Sequence, residues 1–239
     1  MERQIAAEKR RPARRKNLKR MFRVKICGVR RKVDILAVAQ AGADAVGLNF
    51  YRPSVRYVEP DLARELSSEA DERGLVRVGV FVDEPVESIL AISDLVGLDL
   101  VQLHGHESLE EAERLMAAGE RVLRAVRLPV GRLEPMEVEE RVAPWRELGC
   151  DLLLDADAGS QGGGAGLRLD WAAIGRWRME YGAADHWTLA GGLTPQTVAK
   201  AIAATGAKSV DVASGVEQPR GVKSSPLIQS FVDHSQSLR

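Results

Sequence analysis

The chain has 239 residues, 45% of them hydrophobic and 28% charged, a composition that fits one large barrel or two small globular domains. Lys and Arg together number 34, as do Asp and Glu, and only two cysteines occur. With no apolar run of about 18 residues, these values argue against a membrane span, a disulfide-built scaffold and a nucleic-acid groove, and they fit a reducing cytoplasm.

Charge is unevenly placed. Nine Lys or Arg fall within the first 20 residues against Glu2 and Glu8, which leaves 25 basic and 32 acidic residues beyond. The segment RRPARRKNLKR has no apolar period and no hydrophobic core of the secretory kind. A transit peptide would carry more Ser and less acid, and a basic tail alone is weak evidence for nucleic acid. Residues 1–20 therefore read as a solvated, disordered and dispensable tail, and the folded domain as residues 21–239.

From residue 22, short β-rich runs alternate with longer amphipathic segments. The first predicted strand, 22–28, leads to a helix over 33–42 that Gly42 stops. Strand 45–51 is followed by helix 60–72, which opens on Pro60-Asp61. Strand 76–82 precedes helix 86–97, and strand 100–105 precedes helix 108–119, where Ser108 and Glu111 form a capping box. Strand 122–128 leads to helix 136–148, strand 151–156 to helix 170–182, and strand 186–191 to helix 194–206. That seventh helix is expected to start on Thr194-Pro195. Strand 209–214 and helix 224–238 close the series. Eight such pairs predict a single-domain α/β fold, a (β/α)8 barrel. An open doubly wound sheet is the alternative, but it often carries a G-x-G-x-x-G turn after its first strand, and none stands there.

Active sites of these barrels lie at the C-terminal strand ends and in the loops beyond them. That rule selects Cys27, Asn49, Arg56, Gln102, His104 and Asp155, then Gly191-Gly192 after strand seven, and Asp211, Ser214 and Gly215 in and after strand eight. Cys150 precedes strand six, so it belongs to the opposite rim and reads as structural. Strand alternation puts Val24 and Ile26 toward the helices and turns Lys25, Cys27 and Asp211 into the barrel. Strands one and eight are neighbours on closure, so Lys25 and Asp211 are expected to pair, because neither charge is tolerated alone inside. A structural pair and a catalytic one both remain open. Gly191, Gly192, Ser214 and Gly215 sit where such barrels bind phosphate, since glycine lets backbone N–H groups approach an oxyanion. Gly162-Gly163-Gly164 with Gly166 reads as a flap after strand six.

These residues carry a family pattern. Residues 24–28 (VKICG), 42–58 (GADAVGLNFYRPSVRYV), 78–82 (VGVFV), 101–105 (VQLHG), 152–155 (LLLD), 162–171 (GGGAGLRLDW), 189–193 (LAGGL) and 211–217 (DVASGVE) follow in order. Together they resemble the successive signatures of the phosphoribosylanthranilate isomerases. The resemblance implies an Amadori rearrangement without metal or redox cofactor, acting on a small phosphorylated substrate. By position, it makes Asp155 the general acid that opens the ribose ring and Cys27 the base that removes the C2 proton. Arg56 would hold the anthranilate carboxylate, with His104 and Asp211 as further substrate-binding residues. Burial among Leu152–Leu154 is expected to help Asp155 keep its proton, and Lys25 to draw the Cys27 thiol toward neutrality. No nucleic-acid or membrane partner is expected, and monomer and homodimer stay open.

Three stretches depart from the family pattern. Ala165 stands where the strand-six loop usually carries Thr or Ser. Arg220-Gly221 and Lys223-Ser224 replace Pro-Gly and Lys-Asp, with Ser224 still able to cap the last helix. Strand two reads GLNF, bringing Asn49 near the site. Two other functions compete: a dual isomerase that also serves histidine biosynthesis, and a non-catalytic barrel kept as a scaffold. The dual enzyme needs a second phosphate grip, and the opposite loop (HGHES, 104–108) lacks a glycine pair.

Overall fold

The computed structural model describes residues 21–157, 169–182 and 186–236. The expected tail and the expected flap, with Ala165, lie outside the described residues. Among those described, the strands are β1 (Val24–Cys27), β2 (Ala45–Asn49), β3 (Val76–Phe81), β4 (Leu100–Leu103), β5 (Val122–Leu128), β6 (Asp151–Ala156), β7 (Trp187–Leu189) and β8 (Val210–Val212). The helices are α1 (Lys32–Ala41), α2 (Pro60–Glu72), α3 (Val86–Val96), α4 (Leu109–Ala117), α5 (Pro135–Leu148), α6 (Trp171–Glu180), α7 (Val198–Thr205) and α8 (Ser225–His234). All strands are parallel and close in sequence order, with β1 paired to both β2 and β8. The predicted (β/α)8 barrel is the observed fold.

Strand alternation sorts two cores. Outward residues such as Val24, Ile26, Val46, Leu48, Leu152 and Leu154 pack against the helices in one continuous apolar layer. Trp177 of α6 meets Trp187 of β7 edge to face there, at 5.7 Å between centroids. Inward residues Ala45, Val76, Val78, Leu100, Leu123, Ala125 and Leu153 fill the lower barrel above Phe22. Each fully buried Val or Leu contributes about 1.5–3 kcal/mol, so both layers favour closure. Higher up, the same inward rows turn polar with Lys25, Gln102, Thr188 and Asp211, all buried.

Helix ends follow local chemistry, with two corrections. Gly42 stops α1 in the left-handed conformation, and Ser108 and Glu111 form the expected capping box. Helix α7 starts later than Thr194-Pro195 suggested, because the Thr194 N–H donates to Thr197 Oγ1 at 3.0 Å and Thr197 becomes the residue before the helix. Ser224 does precede α8, but its hydroxyl makes no capping bond.

Candidate active site

Lys25 and Cys27 leave β1 on its inward face. The Lys25 ammonium is fully buried, 3.0 Å from Asp211 Oδ1, and donates to Gln102 Oε1 at 2.6 Å. Register explains the pair, since Lys25 lies directly beside Asp211 in the β1–β8 ladder. Burial alone would lower the Lys25 pKa, but Asp211, with Cys27 and Asp155, more than offsets it, so the ammonium keeps its proton. Asp211 Oδ1 is buried and receives no aligned hydrogen bond despite that ion pair.

Cys27 is buried against β2. A Cβ at Gly47 would stand 2.7 Å from Cys27 Sγ, so glycine makes the room the thiol occupies. Its pKa lies above the ordinary thiol value, chiefly through burial. Lys25, Lys223 and Arg56 pull it down and Asp211 pushes it up. The expectation that Lys25 brings this thiol toward neutrality is therefore corrected: desolvation, with the Asp211 carboxylate, outweighs the three cations.

Arg56 lies in the loop between β2 and α2, folded over Gly28, where φ is 78° and a Cβ would fall 2.4 Å from Arg56 Cδ. Its Nε and Nη2 donate to the two Glu217 oxygens at 2.6 and 2.8 Å. Glu217 also accepts from Lys223 Nζ at 2.8 Å and from the Gly221 N–H at 2.9 Å. Burial would raise the Glu217 pKa, but Arg56 and Lys223 hold it down at about 2. Arg56 thus reaches the mouth as the more exposed half of a partly buried pair, with Nη1 outside the fork. Burial lowers the Lys223 pKa even against the pull of Glu217.

Asp155 ends β6. Its Oδ1 accepts from the Ala156 N–H at 2.8 Å, and Oδ2 lies 3.1 Å from His104 Nε2. The expected enclosure by Leu152–Leu154 is not what surrounds it. Leu152 and Leu154 face the helices, only Leu153 faces inward, and the Asp155 side chain is 25% exposed. His104 Nδ1 in turn lies 2.8 Å from Gln102 Nε2. Asn49 turns aside, its Oδ1 accepting from the Tyr51 N–H at 2.8 Å.

The loops after β7 and β8 are pressed together. A Cβ at Gly215 would stand 2.0 Å from the Leu193 carbonyl oxygen, and Gly191 and Gly192 both adopt positive φ. Ser214 opens a short 3-10 turn, Ser214–Val216. Cys150 sits at the opposite rim, buried, 3.8 Å from Met116 Sδ, with burial raising its pKa to about 11. That placement agrees with a structural thiol.

Sequence reasoning missed Glu217 as the partner of Arg56, Lys223 as the second cation on Glu217, and Gln102 and Gly47 as supports for His104 and Cys27. Glu217 follows Ser214-Gly215 by two residues in a loop already selected, which was a usable signal. Gly47 offered none. Among the described residues, no group of three or more His, Cys, Asp or Glu is arranged to hold a metal, and no helix is long and apolar enough to cross a membrane.

A thiol and a carboxylate in one barrel mouth, flanked by a guanidinium and glycine-lined loops, define the class: a (β/α)8-barrel enzyme equipped for acid–base chemistry. Residues 24–234 match the family model described as N-(5'-phosphoribosyl)anthranilate (PRA) isomerase. The N-(5'-phosphoribosyl)anthranilate isomerase of Ruegeria sp. (strain TM1040) is 40% identical over 222 residues, covering 91% of this chain and 99% of the relative. The crystal structure of phosphoribosyl anthranilate isomerase from Thermotoga maritima superposes with a TM-score of 0.79 at 38% identity, covering 91% of this chain and all of that one. A phosphoribosyl anthranilate isomerase in complex with reduced 1-(o-carboxyphenylamino)-1-deoxyribulose 5-phosphate gives 0.76 at 36% identity over the same shares. The chain belongs to the phosphoribosylanthranilate isomerase family.

Proposed function

We propose that this chain converts N-(5'-phosphoribosyl)anthranilate into 1-(2-carboxyphenylamino)-1-deoxyribulose 5-phosphate, the aldose–ketose isomerisation of tryptophan biosynthesis. The observation that carries the reading is the meeting of Cys27, Asp155 and Arg56 at one barrel mouth in a member of this family. Asp155 gives a proton to the ribose ring oxygen as the C1–O bond breaks and the anthranilate nitrogen lone pair forms C1=N, leaving a protonated Schiff base. Cys27, as thiolate, takes the C2 proton; the electrons of that C–H bond form C1=C2 while the C1=N π pair returns to the nitrogen, which becomes a neutral amine. The resulting enol loses its hydroxyl proton while C1 gains one, giving the ketone with atoms and charge balanced.

Arg56 offers a cation to the anthranilate carboxylate, oriented by Glu217. Asp211 Oδ1, 3.0 Å from the Lys25 ammonium but not aligned in a hydrogen bond with it, is suited to accept from a substrate hydroxyl or amine as well. Gly191, Gly192, Ser214 and Gly215 supply backbone N–H groups for the phosphate. The reaction site is the cytoplasm, where Cys27 and Cys150 stay reduced.

The dual-substrate alternative loses support at the loop after β4. There the Gly105 N–H donates to Glu107 and the His106 N–H to Asp83, so protein carboxylates already occupy the amides a second phosphate would need. An intact acid–base pair weighs against a mere scaffold. A fluorescence assay following loss of phosphoribosylanthranilate with purified protein tests the reading. No turnover by correctly folded protein refutes it.

A further inference from the structure

A chain of polar side chains, buried from Asp211 to Gln102 and partly exposed at His104 and Asp155, crosses the barrel at the mouth, from Asp211 on β8 through Lys25 on β1 and Gln102 on β4 to His104 and then Asp155 on β6. Its members differ in what they can give and take, and those differences fix the protons on Lys25, Gln102 and His104. An ammonium only donates, so the Gln102 atom 2.6 Å from Lys25 Nζ must be the carbonyl oxygen. That choice turns the amide NH2 toward His104, 2.8 Å from Nδ1. An NH2 group only donates, so Nδ1 must accept and carries no proton. A doubly protonated ring would set N–H against N–H there. The single ring proton then sits on Nε2, 3.1 Å from Asp155 Oδ2.

We propose that Lys25, acting through Gln102, locks His104 as the neutral Nε2–H tautomer, and that this locked ring is what aims the Asp155 carboxyl into the site. Gln102 and His104 are positioning residues for the proton donor. The inference deepens the isomerase reading and rests on it for the role of Asp155. The ring itself has both nitrogens engaged, so its contribution to substrate runs through Asp155. Supports converge on the same geometry: Gln102 and Lys25 are buried, leaving water little access to compete. The His104 carbonyl is held by Arg127 Nη2 at 2.8 Å, which fixes the backbone under the ring. Asp155 Oδ1 is fixed separately by the Ala156 N–H, so His104 decides only the second oxygen.

The test reads the tautomer directly. In full-length protein with 15N-labelled histidine, the His104 ring should show a protonated Nε2 and an unprotonated, hydrogen-bonded Nδ1 at neutral pH. A protonated Nδ1 or an imidazolium overturns the proposal whether or not the protein turns over phosphoribosylanthranilate, so its failure is separable from failure of the isomerase reading. Gln102→Glu offers Lys25 one oxygen and His104 another acceptor, and should place a proton on Nδ1. Its kcat should fall about tenfold or more, the scale of a misplaced catalytic group, with KM changed by less than about threefold. An unchanged tautomer in Gln102→Glu also counts against the lock. His104→Gln, which keeps an N–H donor near the Nε2 position, should retain clearly more activity than His104→Ala. Equal loss in both shows that His104 acts by packing alone. Should Gln102→Glu not fold, the wild-type ring spectrum and the His104 pair still decide.

Discussion

Glu217 holds Arg56 by a two-point fork, accepting from Nε at 2.6 Å and from Nη2 at 2.8 Å, with its own side chain only 1% exposed. A planar guanidinium gripped at two nitrogens has little rotational freedom, so the direction in which Arg56 presents its charge is set by a residue 161 positions away.

Glu217→Gln should weaken both fold and substrate binding. The Glu217 pKa is about 2 in the fold against 4.5 ordinarily, a stabilisation on the order of 3 kcal/mol. Because the folded value is the lower one, this contribution is complete above about pH 4.5 and disappears as pH falls toward 2. Thermal melts of wild type and variant should therefore differ at pH 7 and converge in acid. A gap that stays constant across that range contradicts the assignment. KM should rise several-fold as Arg56 loses its orientation.

Cys27→Ala and Asp155→Asn should each lower kcat by about 10²-fold or more, the scale of a lost general base or acid. KM should move much less. Cys150→Ala, at the far rim, should keep near-normal turnover. Steady-state kinetics on the three variants decides, and full activity in Cys27→Ala would sink the acid–base assignment.

Because burial holds the Cys27 thiol above its ordinary pKa, only a small thiolate fraction exists at neutral pH. In a Cys150→Ala background, alkylation of Cys27 by iodoacetamide should be slow at pH 7 and accelerate steadily into alkaline solution. The kcat/KM of the enzyme should rise over the same range. Fast alkylation at neutral pH would show a thiolate that this desolvated setting does not predict.

Phosphate or sulfate should inhibit competitively and raise the melting temperature, since a ligand bound only by the folded state stabilises it by mass action. Crystals grown with sulfate should hold the anion between Gly192 and Ser214-Gly215. Gly215→Val is a poor probe here, because its side chain would strike the Leu193 carbonyl whatever the ligand. An anion bound only at residues 104–108 contradicts the site and revives the dual isomerase.

Removal of residues 1–20 should leave activity and melting temperature nearly unchanged, as the segment lacks apolar surface to pack. A clear drop in melting temperature of the shortened protein would show that it contributes to the fold.

Much of this protein was legible in its residues. Alternation in VKIC turned Lys25 and Cys27 inward and Val24 and Ile26 outward, and eight strand–helix periods closed the barrel that makes Asp211 the neighbour of Lys25. Both follow from local rules, period two in a strand and adjacency of the first and last strands, so no tertiary knowledge was needed. Tertiary structure decided what depends on residues far apart in sequence. Nothing local to Arg56 announces Glu217, nothing in VQLHG says that Gln102 bridges an ammonium to an imidazole, and a glycine at 47 is silent until the Cys27 thiol lies against it. The pKa of Cys27 turned the same way. Sequence supplied the nearby cation, but the desolvation that outweighs it arises only when the barrel closes around the thiol.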